Sequence, residues 1–263
     1  MRARPALNVL SDHRGLCAIA TVYVVAVAFV LPPIGDYPTC DDWDYAFTVR
    51  EFAKTGQLHL GAWPAMTFVS HAAWGAGFVV LFGDSWTTLR VSSMVMAWVG
   101  GLAIYWLGCE LQRSRFESAL LCASYVACPL VLALSYSFMT DVAGASLMLV
   151  TIAAMPWVVR QDTSFAYAVL GVLAGIALMA RQTAVIPVAA FVLVMIARRR
   201  WSPVAIVAVT TAAAPLACLA WLSAIGGLPT GFGRLDYDFG VLAEPRAVAA
   251  KVLCLTLEIA LLA

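Results

Sequence analysis

The chain is poor in charge. Of its 263 residues only 12% are Asp, Glu, Lys or Arg, roughly half the ~25% of an ordinary soluble domain. A formal net charge of +1 excludes the basic surplus with which proteins meet nucleic acid. There is no CxxC pair, and the three histidines stand apart at positions 13, 59 and 71, so no zinc-ligand spacing exists. The seven cysteines fall almost entirely inside or beside apolar runs, where a cysteine behaves as a small hydrophobe. Cys40 alone lies in a polar stretch, with no evident disulfide partner. Internal repeats, low-complexity tracts and a soluble domain are also missing.

Apolar residues take the place of charge. They make up 63% of the chain and gather in runs at 16–34, 65–82, 88–108, 116–134, 142–159, 164–180, 183–197, 203–225 and 250–263. A helix needs about 20 such residues to cross a bilayer. The expected fold is therefore all-α, a multi-pass transmembrane helical bundle. The first run is longer than a signal-peptide core and no A-x-A site follows it, so it reads as an uncleaved span. The last run breaks off unfinished at "KVLCLTLEIALLA". Residues 1–263 thus read as a single membrane-embedded domain, incomplete at its C-terminus.

Orientation follows from Arg and Lys, which favour cytoplasmic loops. Arg2, Arg4 and Arg14 place the N-terminus in the cytoplasm and the loop 35–64 outside. If 65–82 crosses fully, then Arg113, Arg115, Arg160, Arg198, Arg199 and Arg200 all fall outside. If it dips in and returns, or lies along the interface, those arginines become cytoplasmic and Arg181 is external. The second arrangement obeys the rule far better. The composition of 65–82 agrees with it, since the stretch carries Ser70, His71, Gly75 and Gly77 between Trp63 and Trp86.

In that arrangement the polar chemistry converges on the outer side. Asp41, Asp42 and Asp44 open "YAFTVREFAKTGQL", whose apolar positions 45, 49 and 52 indicate an amphipathic helix, expected along the outer leaflet. Acids at a helix start also suit its dipole, the plain explanation for the cluster. Asp141 in "SFMTDVAG" can cap the run at 142, although Thr140 beside it can do so without a charge. An ionisable residue at the edge of a span is by default a functional candidate. Arg181 in "LMARQTAV" sits between two short apolar segments; it can snorkel to lipid phosphates or clamp a phosphate-bearing ligand. Lys54 and Arg90, with Arg50 and His59, complete an anion-attracting rim. Together these groups suit transfer from a lipid phosphate: a carboxylate takes the acceptor's proton and recessed cations hold the departing phosphate.

The same residues carry a resemblance. The acidic segment "DDWDYAFTVREFAKTG" is followed by "LFGDSWTTLRVSSM", the basic turn "ELQRSRFESALL", "ACPLVLALSYSFMTDVAG" and "GVLAGIALMARQTAVIPVAA". Their order and spacing over roughly residues 10–225 resemble the GT-C superfamily of membrane glycosyltransferases, in particular the branch of protein O-mannosyltransferases and aminoarabinose transferases. The resemblance implies a GT-C-like bundle with an external first loop of short interfacial helices. It implies a polyprenyl-phosphate-linked sugar as donor and a lipid, glycan or protein as acceptor. Asp41 and Asp42 then match the leading acids, Asp141 the second acidic position, and Arg181 the basic position that meets the donor phosphate, with Lys54 and Arg90 as further phosphate contacts. Asp44 has no counterpart. Members of the family are about twice this length. A divalent metal is compatible with the external acids, but their spacing does not establish one. The expected location is the bacterial inner (plasma) membrane, among membrane lipids, with the site on the periplasmic face. The competing reading is a non-catalytic bundle, either a transporter or flippase or an inactive accessory subunit.

Overall fold

The computed structural model describes residues 32–35, 37–39, 41–60 and 68–227, together with the isolated positions 21, 25 and 29. The runs 16–34 and 250–263 lie largely or wholly outside these residues, as do Cys40 and Trp63. Every regular element among the described residues is helical: α1 (Asp42–Thr55), α2 (Val69–Phe82), α3 (Trp86–Glu110), α4 (Arg115–Val126), α5 (Pro129–Ser135), α6 (Thr140–Gln161), α7 (Ser164–Ala180), a 3-10 turn (Gln182–Ala184), α8 (Val185–Ala197) and α9 (Trp201–Ala224). Local chemistry sets their ends. Ser85 caps α3 by accepting the Thr88 N–H at 3.0 Å. Ser114 and Glu117 close a reciprocal capping box on α4, and Thr163 caps α7, each satisfying donors that a helix start leaves open.

Among the described residues three helices, α3, α6 and α9, are long and apolar enough to cross a membrane. The run 116–134, expected as one segment, is two helices bent by 56°. Pro129 explains the break, because its ring has no N–H to continue α4 and forces the preceding residue out of helical geometry. The two halves count as at most one span.

The helices run alternately between two ends. At one end Glu110 pairs with Arg160, and Asp162 pairs with Arg200 while accepting the Tyr167 hydroxyl at 2.8 Å. At the other end lie the starts of α3 and α6 and the close of α7. Helix α2 stays at this second end. Phe68, just before it, packs edge-on against the Tyr45 ring at 4.8 Å, and Asp84, just after it, bonds Arg50 at 2.6 Å. Both ends of α2 are thus tied to α1. At 14 residues, or about 21 Å, it is also short of the ~30 Å hydrocarbon layer.

Small residues let α7 and α9 approach. In α7, Gly171 and Gly175 face α9, where an added Cβ would come within 2.9 Å of the Val207 and Thr211 carbonyl oxygens respectively. This small-xxx-small spacing is the usual device for close helix contact in lipid. Around it Leu170, Ala174, Val188, Phe191, Met195 and Val207 belong to one apolar cluster.

The apolar face of α1 is turned inward. Tyr45 and Val49 are buried, packed on Phe68 and beside Gly75 of α2, so this face meets protein where the periodicity alone suggested lipid. Trp43 and Phe47 are the exposed aromatics of the helix.

Candidate active site

The candidate site forms where the start of α1 meets the loop before α6 and the break after α7. Asp141, in the first turn of α6, makes an ion pair with Arg181, the residue that ends α7. Arg181 occupies a break in the helical path: its backbone is extended (φ −157°) and the 3-10 turn follows. Gly144 lies one turn along α6 and makes room for it. A Cβ at Gly144 would sit 3.0 Å from the Arg181 Cβ and 3.2 Å from its Cδ. Both members of the pair remain about one-third exposed (35% and 28%), so the pair is open to a ligand.

Tyr45 joins this pair to α1. Its hydroxyl hydrogen-bonds the Thr140 side chain and feels the charges of Asp141, Arg181 and Asp41. Burial, and then the negative charge of Asp141, push the phenol above its ordinary value, so it stays protonated near neutrality. Tyr45, Thr140, Asp141 and Arg181 are therefore brought together, and Asp41 is near enough for its charge to act on Tyr45.

The adjacent acids differ in environment. Asp41 is exposed and makes no capping bond. Asp42 is fully buried; its carboxylate accepts the Thr39 N–H at 2.7 Å and the Phe138 N–H at 3.3 Å. It thereby links the start of α1 to the segment leading into α6. Burial raises its pKa, opposed by those two hydrogen bonds and by the positive charges of Arg90 and Arg50. Asp44 is also buried, with one carboxylate oxygen lacking any partner, and burial alone raises its pKa.

Of the three basic residues expected to contact the donor phosphate, Arg181 is in the constellation and two are elsewhere. Arg90 is buried beneath the loop before α1. Its guanidinium donates to the carbonyl oxygens of Pro33, Gly35 and Tyr37 and to the Thr39 hydroxyl, and it lies over the Tyr37 ring. It orders the segment that delivers Asp41 and Asp42. Lys54 is exposed at the far end of α1, 3.8 Å from Asp84, roughly 14 Å along the helix from Tyr45.

Reading the sequence alone missed Tyr45, Thr140 and Gly144 as parts of the site. Tyr45 stands four residues after Asp41 and so on the same helix face, a signal hidden by its service to the apolar stripe. Among the described residues no group of three or more metal-ligating side chains comes together.

An all-helical multi-pass bundle with an acid–arginine pair at one end is consistent with a membrane glycosyltransferase of GT-C type, and the sequence comparison decides the class. The sequence profile described as dolichyl-phosphate-mannose-protein mannosyltransferase matches residues 66–223, and the chain belongs to that family. The matched stretch contains Asp141 and Arg181 and begins after Asp41 and Asp42. No curated protein and no solved structure gives a significant match.

Proposed function

We propose that the chain transfers a sugar from a polyprenyl-phosphate carrier to an acceptor on the outer face of the membrane, with Asp41 as general base and Arg181 as the phosphate ligand. The observation that carries this reading is the half-open Asp141–Arg181 pair, tied through Tyr45 to the helix that begins at Asp41. A guanidinium is suited to a phosphate dianion, and its place at the end of α7 lets a lipid-linked donor keep its tail in the bilayer.

In the proposed step an acceptor hydroxyl attacks the anomeric carbon of the sugar. Its proton passes to the Asp41 carboxylate, and the bond between the anomeric carbon and the phosphate oxygen breaks. Polyprenyl phosphate leaves, its new negative charge held by Arg181. Asp141 orients the guanidinium and Tyr45 supplies a neutral hydroxyl beside it. Asp42 and Arg90 act through the loop they hold, and Lys54 adds positive potential at the rim. The acceptor is a lipid, glycan or protein. Mannose, the sugar named in the family's description, is the first donor to try.

Membranes bearing the chain, supplied with radiolabelled polyprenyl-phosphate mannose, are expected to move label from the lipid to a second product. Arg181→Gln should raise the KM for donor at least tenfold. Wild-type membranes that move no label from this or other polyprenyl-phosphate sugars would overturn the reading in favour of a non-catalytic bundle.

A further inference from the structure

A cavity of about 710 Å³ opens between α3, α6 and α8 at the other end of the bundle. It is about 28 Å along α6 from Asp141, taking 1.5 Å per residue to Arg160. Its wall is apolar, built from Met155, Pro156, Phe191 and Val194, and its mouth carries Glu110, Arg160 and Arg198. The volume lies within the range of about 300–1,000 Å³ usual for small-molecule sites.

The charges at the mouth do not balance. Glu110 is taken by its ion pair with Arg160, whereas no described acid pairs with Arg198. Arg199 and Arg200 follow directly in sequence, and only Arg200 has an acidic partner, Asp162. The depth is equally specific. Glu110 and Arg160 end two helices of spanning length, so the mouth lies at headgroup level and the apolar wall at acyl level. By contrast, the cavity of about 470 Å³ between α3, α6 and α7 is lined only by apolar side chains such as Val99, Trp106 and Leu173, and nothing there would select a headgroup.

We propose that the 710 Å³ cavity binds one anionic phospholipid, with an acyl chain along Met155, Pro156, Phe191 and Val194 and the phosphate on Arg198. The apolar wall at acyl depth selects a lipid over a water-borne anion, and the net positive charge of Arg160, Arg198 and Glu110 at the mouth disfavours the cation that a zwitterionic headgroup carries beside its phosphate. Arginine serves this purpose because its fork of donors matches phosphate oxygens. The site is separate from the one at Asp141 and does not rest on the transfer reading.

The test is native mass spectrometry of the full chain in detergent, titrated with phosphatidylglycerol or phosphatidylcholine. Wild type is expected to retain one phosphatidylglycerol at concentrations where phosphatidylcholine is lost. Arg198→Gln should weaken phosphatidylglycerol at least tenfold and bring it level with phosphatidylcholine, with Arg198→Lys in between. Arg113→Gln, an exposed arginine of the same end outside the cavity, should behave as wild type. Val194→Trp, which fills the cavity, should abolish retention; should it fail to fold, Arg198→Gln decides alone. Equal retention of the two lipids by wild type, or an Arg198→Gln protein that binds phosphatidylglycerol as wild type does, would overturn the proposal.

Discussion

Replacing Asp42 by alanine should damage the fold, whereas the same change at Asp41 should not. The Asp42 carboxylate is buried and accepts two backbone N–H groups, from Thr39 and Phe138. Alanine leaves the buried Phe138 N–H and the half-buried Thr39 N–H without this partner, at about 1–3 kcal/mol each. Removing a carboxylate that burial disfavours returns part of this, leaving a net loss of about 2–4 kcal/mol. For a chain of this size that is a fall of roughly 5–15 °C in melting temperature. Asp41, exposed and without a capping bond, should stay within about 0.5 kcal/mol of wild type. Melting both variants in detergent, followed by loss of the monodisperse peak, gives the comparison.

The pH dependence has a defined sign. Burial raises the folded-state pKa of Asp42 above 3.8, so the folded chain holds this proton more tightly than the unfolded chain does. The wild-type advantage over Asp42→Ala is therefore complete below about pH 3.8 and shrinks as pH rises through the higher folded value. An Asp42→Ala protein that melts with wild type would refute the reasoning, as would a stability gap that widens with rising pH.

Three further outcomes follow from the same geometry. Asp44→Asn should stabilise the chain by about 1–3 kcal/mol at pH 7, since it removes a buried carboxylate with an unpartnered oxygen; the gain should fade as pH falls toward 4 in a melting series. Gly171→Ala should cost about 1–3 kcal/mol by overpacking the α7–α9 contact, where the new Cβ would meet Val207 O and the Thr210 side chain; an unchanged melting temperature would mean the helices separate freely. Gly144→Ala adds a Cβ against Arg181 inside a helix that otherwise favours alanine by about 1 kcal/mol, so stability should hold while the donor KM rises several-fold in the transfer assay.

Much of the fold was legible because the bilayer constrains sequence so strongly. The runs 88–108, 142–159, 164–180 and 203–225 each reappear as one helix, since a backbone in apolar surroundings must satisfy its own hydrogen bonds and the helix does so locally. The break at Pro129 was there to be read, but apolarity continues across it and conceals the bend. Within the site, Asp141 and Arg181 stood out as charges in apolar surroundings, and the structure pairs them. The contrast between an exposed Asp41 and a buried, hydrogen-bonded Asp42 was not legible. It depends on the Phe138 N–H, 96 residues away in the chain, and no local pattern announces such a contact. Arg90 is a similar case: its type suggested a phosphate ligand, yet loop carbonyls from Pro33 to Tyr37 occupy it. Tyr45 escaped notice because one side chain serves both the apolar stripe of α1 and the polar cluster.

The most direct test of the account is sugar transfer by Asp41→Asn in membranes supplied with radiolabelled polyprenyl-phosphate mannose, at protein levels matched to wild type. Removing a general base lowers the rate by about 10²–10⁴-fold, and the account predicts a loss of that size with an unchanged melting temperature. Transfer at the wild-type rate by Asp41→Asn would contradict it, leaving the exposed acid at the start of α1 as no more than a favourable charge on a helix dipole.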